Sequence, residues 1–195
     1  MKLTNNLYFY PEKGMLDCNT YVIKDNLRIF IDPGAVQFLP VLIQGLQKDG
    51  IEPEAIDIIN NSHLYVDHYW ANEDLNGLSR AKILSNRLHK KFYDINVFET
   101  SINFGLPPVE FKEDVYLDRS KLDIGDTKLE MIHALGHYPD SICFNCRQKE
   151  FLICGDVILI RIPAGLTCPV VMLMSLSDPL KSYHNYKLSL YFPII

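Results

Sequence analysis

The sequence has no run of about 18 uncharged apolar residues, the length a bilayer-crossing helix needs, so no membrane span is expected. The opening stretch Met1 to Gly14 (MKLTNNLYFYPEKG) lacks the apolar core of a secretory signal. Basic charge is not in excess. There are 19 Lys and Arg against 24 Asp and Glu, a net charge of -5, which argues against a nucleic-acid-binding surface. Cysteine is scarce and odd in number: Cys18, Cys143, Cys146, Cys154 and Cys168 do not form a disulfide framework. These absences together point to a reducing, cytoplasmic setting. Repeats, low-complexity tracts and linkers are missing too.

What is present is a chain of 195 residues, 48% of them apolar, enough for one domain over residues 1–195 with a substantial core. Cys143-Phe144-Asn145-Cys146 has the C-x-x-C spacing, but a structural zinc needs four ligands. Both cysteines are read as small strand residues.

Apolar periodicity predicts an ordered series of elements. Thr20 to Ile23 and Leu27 to Ile31 read as strands joined by a turn at Lys24-Asp25-Asn26. Val36 to Lys48 reads as a helix stopped by Gly50, and Ile56 to Ile59 as a short buried strand. Ala71 to Leu78 and Asn86 to Tyr93 read as helices around a strand at Ala81 to Leu84. Ile95 to Glu113, with Pro107-Pro108, reads as an irregular loop overhanging a site. Leu122 to Asp126 reads as a strand and turn, and Lys128 to His133 as a half-buried strand. Ser141 to Cys146 and Glu150 to Cys154 read as a hairpin. Hairpins mixed with strand–helix alternation indicate an α+β fold, two packed sheets with helices outside.

The chemistry concentrates where strands run out. His63-Leu64-Tyr65-Val66-Asp67-His68 sets three metal-binding side chains within six positions after the Ile56 strand. His133-Ala134-Leu135-Gly136-His137, Cys154-Gly155-Asp156 and Asp32-Pro33-Gly34 follow other strands. Imidazoles and carboxylates in such loops can converge on one or two cations.

These segments, in this order and after the strand Asn19-Thr20-Tyr21, resemble the metallo-β-lactamase superfamily of hydrolases and related oxidoreductases. The resemblance covers about residues 15 to 160, and Asp178-Pro179-Leu180 with Tyr183 is similar to a late helix start in some members. It implies an αββα sandwich of two mixed sheets flanked by helices. It implies a first metal held by His63 and His137 and a second held by Asp67 and His68, with Asp156 bridging. It implies a water activated by the cations, its pKa lowered from about 16 to about 7, attacking a carbonyl or phosphoryl group. Asp67 then orients that water or takes its proton, which makes it the candidate catalytic group.

Two departures accompany the resemblance. Tyr65 stands where the family's middle histidine stands. A phenol, with a pKa of about 10, is a poor zinc ligand unless deprotonated, though ferric iron accepts phenolate. Flavodiiron members place a glutamate there, so Tyr65 enters the ligand set as an alternative. The family's last histidine, beyond the Tyr183 helix, has no counterpart before Ile195, and His184 falls too early to replace it.

The remaining polar residues have plainer readings. His133 reads as a strand-end histidine bonded to backbone, His89 as a solvated surface residue, Trp70 as core or pocket wall, and Asp32 as a structural turn residue. The expected function is a metal-dependent hydrolase of an ester, thioester or related small substrate. Zinc is the first expected metal, with iron or manganese as alternatives. An iron-binding redox member and a catalytically silent member with a degraded site are the other readings. A small-molecule substrate is the expected partner, without nucleic acid or membrane. The apolar run Val170 to Met174 would find cover in a homodimer.

Overall fold

A computed structural model describes residues 1–105, 107, 110, 112–117, 121–157, 159–161, 167–169, 171–174 and 188–190. The Asp178–Tyr183 helix start and His184 lie outside the described residues.

Two six-stranded sheets carry the fold. The first runs in spatial order β1 (Leu7–Tyr10), β2 (Thr20–Lys24), β3 (Arg28–Ile31), β4 (Ile58–Asn60), β5 (Lys82–Asn86) and β6 (Val115–Leu117). The pairs β1–β2 and β2–β3 are antiparallel, whereas β3–β4, β4–β5 and β5–β6 are parallel. The second sheet comprises β7 (Lys121–Asp123), β8 (Lys128–His133), β9 (Ile142–Cys146), β10 (Phe151–Ile153), β13 (Val171–Met174) and β14 (Leu188–Leu190). Every described pairing in it is antiparallel, so only the first sheet is mixed. A separate ribbon pairs β11 (Leu159–Arg161) with β12 (Thr167–Pro169). Strand β13 is paired on both edges, by β10 and β14.

The alternation of strand residues explains the stacking, because successive side chains point to opposite faces. Leu7, Phe9, Tyr21, Ile23, Ile29, Ile31 and Ile58 face the second sheet and meet Leu129, Met131, Phe144, Phe151 and Ile153. Their neighbours Tyr8, Tyr10, Val22, Phe30, Ile59 and Ile83 face outward and are covered by Leu39, Leu42, Leu46 and Leu75. Those leucines belong to α1 (Leu39–Lys48) and α3 (Asn72–Ser79), which return the chain between parallel strands. Gly50, at φ +68, turns the chain out of α1.

One element differs from its sequence reading. Helix α4 (Arg87–Phe104) replaces most of the expected loop from Ile95. Its apolar residues Ile95, Phe98 and Ile102 are exposed, so they give no core-facing signal in the sequence. Polar anchors hold it instead: Asn96 Nδ2 donates to Asp140 Oδ2 at 3.0 Å, and Glu99 Oε2 accepts from the Tyr138 hydroxyl at 2.6 Å. Gly105, at φ +62, ends it. His89 is a second correction. It is fully buried rather than solvated, its Nδ1 lying 3.1 Å from Ser85 Oγ, because the first turn of α4 folds back on β5.

Candidate metal centre

The site lies where β3, β4, β8 and β10 end. After β4 the chain passes Asn61 and Ser62, then forms the short helix α2 (Val66–Tyr69), which carries Asp67 and His68. Buried hydrogen bonds fix this loop. Asn61 Nδ2 donates to the His68 carbonyl at 2.9 Å, and the Leu64 N–H donates to Asp140 Oδ2 at 2.9 Å. The Ile142 N–H donates to the Ser62 carbonyl at 2.7 Å, tying the second sheet to the motif.

Asp32 sits beneath the histidines. It is fully buried and left-handed at φ +56 although Pro33 follows it, a conformation disfavoured for any residue before proline. Its Oδ1 accepts the Ser62 N–H at 2.7 Å, and its Oδ2 lies 3.2 Å from His68 Nδ1. This carboxylate therefore fixes the His68 ring with Nε2 aimed away from it, the usual device for presenting a histidine to a metal. Ser62 Oγ lies 3.1 Å from His63 Nδ1 and does the same for that ring.

The aimed atoms converge. His68 Nε2 lies 3.5 Å from Asp156 Oδ1, and His137 Nε2 lies 3.8 Å from Asp156 Oδ2. The His63 ring centroid is 4.1 Å from that of His68 and 5.1 Å from that of His137. Asp156 reaches the site through Gly155, at φ +52, where a Cβ would run into the Ser62 hydroxyl.

A divalent cation fits this donor set. One atom each from His63, His68 and Asp156 lies within 4.8 Å of the others. In a tetrahedral zinc site, bonds of about 2.0–2.2 Å set donors about 3.3–3.6 Å apart, so the trio would draw together on binding. His63 Nε2, His68 Nε2, Asp67 Oδ1 and Asp156 Oδ1 are buried without hydrogen-bond partners, a costly arrangement that a cation relieves. The trio draws one histidine from each of the two expected metal sites, with Asp156 between them.

Burial holds the His63 imidazole well below its ordinary pKa, helped by His68 and His137. Burial lowers His137 as well. Burial also opposes a charged His68, but its neighbours Cys18, Asp32, Asp156 and Asp67 outweigh it and raise that ring well above its usual range. Asp67 is pushed up to about 6 by burial and by the Asp156 charge, against the opposing charge of His68. Burial also raises Asp156, but the charges of His68 and His137 bring that carboxyl below the usual value.

Tyr65 stands outside the trio. Its ring lies parallel to His63, at 12° and 6.4 Å, and 5.0 Å from Tyr138. Its hydroxyl hydrogen-bonds with Asn103 of α4 and with Tyr138, while burial raises its pKa. His133 Nε2 lies 3.0 Å from the Pro139 carbonyl oxygen, the backbone contact expected of it. Trp70 is half-buried. Asp32 and Ser62 are the positioning groups that the sequence reading missed. Asp32 was visible as a strand-end Asp-Pro-Gly, but its contact with His68 crosses from one strand end to the next.

The family described as the metallo-beta-lactamase superfamily matches residues 14–188. A probable metallo-hydrolase of Methanocaldococcus jannaschii is 29% identical over 141 residues, 72% of this chain and 66% of that protein. A putative diflavin flavoprotein of Nostoc is 28% identical over 141 residues, covering 71% of this chain and 22% of that protein. The chain spans 33% of the length of an uncharacterised relative from M. jannaschii. Among solved structures, the FEZ-1 metallo-beta-lactamase of Legionella gormanii has a TM-score of 0.65 at 16% identity, covering 88% of this chain and 62% of that one. With the stacked sheets and the strand-end histidines, the match over residues 14–188 shows that this chain belongs to the metallo-beta-lactamase superfamily.

Proposed function

We propose that the protein is a metal-dependent hydrolase of an ester, thioester or related small substrate. The observation that carries this reading is the convergence of donor atoms from His63, His68 and Asp156, of which His63 Nε2, His68 Nε2 and Asp156 Oδ1 are buried without hydrogen-bond partners. His63, His68 and Asp156 hold a cation, zinc before iron or manganese, and His137 and Asp67 are placed to complete one or two such sites. A bound divalent cation supplies Lewis acidity and lowers the pKa of water to about 7. Asp67, at about 6, serves as proton acceptor near neutral pH. Asp32 and Ser62 keep the two rings oriented, and Tyr65 and Tyr138 wall one side of the centre and keep water from it.

An iron-phenolate centre is the weaker reading, because the Tyr65 hydroxyl is engaged by Asn103 and Tyr138 and burial disfavours its ionisation. The small-molecule partner, a homodimer and the cytoplasmic setting rest on the sequence. No helix among the described residues is long and apolar enough to cross a membrane.

The test is metal content per chain after equilibration with micromolar zinc, iron or manganese, alongside turnover of simple esters and thioesters. We expect about one zinc or more per wild-type chain. A protein that retains none of the three metals ends the hydrolase reading. If Tyr65→His raises both occupancy and turnover, Tyr65 fills a ligand's place without acting as one.

A further inference from the structure

The C-x-x-C pair is split by the sheet. Cys146 faces the core between the sheets, and Cys143, three residues earlier, faces the other way. The neighbour that Cys143 does meet is Cys154. In the β9–β10 register Phe144 opposes Ile153, and continuing that register one residue past the end of β10 sets Cys154 against Cys143 on the face away from the core. Cys143 Sγ lies 3.9 Å from the Cys154 carbonyl oxygen. Directly opposed residues of an antiparallel pair have Cα atoms about 4.5–5.5 Å apart, inside the range of about 4.4–6.8 Å that a disulfide requires.

The pair also sits immediately behind the metal centre. Residue 142, next to Cys143, donates its N–H to the Ser62 carbonyl at 2.7 Å. Gly155, next to Cys154, lies against the Ser62 side chain and leads directly to Asp156. Ser62 in turn supports His63 Nδ1 at 3.1 Å. Each cysteine is thus one residue from a contact with Ser62.

We propose that Cys143 and Cys154 are a reversible disulfide site whose closure changes the geometry of the metal centre through Ser62, Gly155 and Asp156. Hydrogen peroxide is the oxidant. Cys143 Sγ attacks the peroxide oxygen, the O–O bond breaks, and water leaves with the thiol proton, giving a sulfenic acid. Cys154 Sγ then attacks that sulfur, forming the S–S bond and releasing a second water. Two thiols are oxidised by two electrons and one hydrogen peroxide is reduced to two waters. A dithiol reductant reverses the change. The bond itself needs no metal, while its effect on cation affinity rests on the function proposed above.

The test exposes the reduced, metal-free full chain to hydrogen peroxide and maps disulfides by peptide mass. The expected product is a Cys143–Cys154 crosslink, lost in Cys143→Ser, retained in Cys146→Ser, and reversed by dithiothreitol. A different pairing, or only sulfinic and sulfonic acids, overturns the site. Amide hydrogen exchange over residues 58–69 of the metal-free protein is expected to change at least threefold on crosslinking, and zinc affinity at least tenfold. Unchanged exchange overturns the link to the centre. Reduced protein that takes up no zinc defeats the hydrolase reading alone, since the crosslink and the exchange still decide this one.

Discussion

The two flanks of the metal centre are built differently. On one, His63 and His68 are 1% and 2% exposed; His63 rests on Ser62 through a buried hydrogen bond, and His68 on Asp32 through a buried 3.2 Å ion-pair contact. On the other, the His137 side chain is 32% exposed and lies against Tyr138 at a ring distance of 5.2 Å. Tyr138 and Tyr65 on that flank lean on α4 through Glu99 and Asn103. The first flank is rigid because moving it breaks buried polar contacts, each costly to leave unmade. The second rests on ring contacts and half-exposed hydrogen bonds, which yield more easily. Pre-organisation for a cation thus belongs to the first flank, and the greater freedom to adjust belongs to the second.

Breaking the first flank has the largest expected effect. Asp32→Ala leaves the Ser62 N–H and the His68 ring without their buried acceptor, and should cost about 3–5 kcal/mol in denaturant unfolding. It should also weaken zinc binding about 10–100-fold. Asp32→Asn, which keeps an acceptor for Ser62, should recover much of the stability and less of the affinity. A loss of under about 1 kcal/mol in Asp32→Ala would show that the two flanks are equally soft.

The second flank can be loosened by acid through His89, at the start of α4. Burial lowers that ring to about 3, against an ordinary value of 6.5. The folded state therefore binds the proton more weakly than the unfolded state. Its contribution to stability is complete above about 6.5 and is lost as pH falls from there towards 3, by at most about 1.4 kcal/mol per pH unit. His89→Gln should flatten the pH dependence of unfolding in that window. Equal slopes in the two proteins would remove His89 from this role.

The smallest effect sharpens the contrast from the other side. His137→Ala, at a half-exposed position, should change stability by less than about 0.5 kcal/mol. Zinc affinity should nevertheless fall about tenfold, as read by competition with a chelating dye. A stability loss as large as that of Asp32→Ala would erase the difference between the flanks.

How much of this was legible in the sequence follows the same division. The strands showed themselves because Tyr21/Val22/Ile23 and Ile29/Phe30/Ile31 alternate between two buried faces. The strand-end motifs gave the positions of His63, Asp67, His68, His137 and Asp156, since each follows a recognisable strand or turn. Helix α4 was hidden beyond Tyr93 because polar anchors hold it, and Asn96, Glu99 and Asn103 look like ordinary surface residues in one dimension. His89 was misread beside Lys90 and Lys91, since charged neighbours do not reveal which way a helix's first turn faces. The tie between Asp32 and His68 joins the ends of two strands, a distance that no local spacing encodes.

The donors come from both layers of the sandwich. His63, Asp67 and His68 follow strand β4 of the first sheet, whereas His137 and Asp156 follow strands β8 and β10 of the second. A cation drawing on both layers binds only when the sheets are stacked in register. Its free energy is then added to that of sheet association, by about 2.7 kcal/mol at a hundred times the dissociation constant. Such a cation is a rivet between the layers, and chelation would register as a lower melting temperature even where no reaction is being measured.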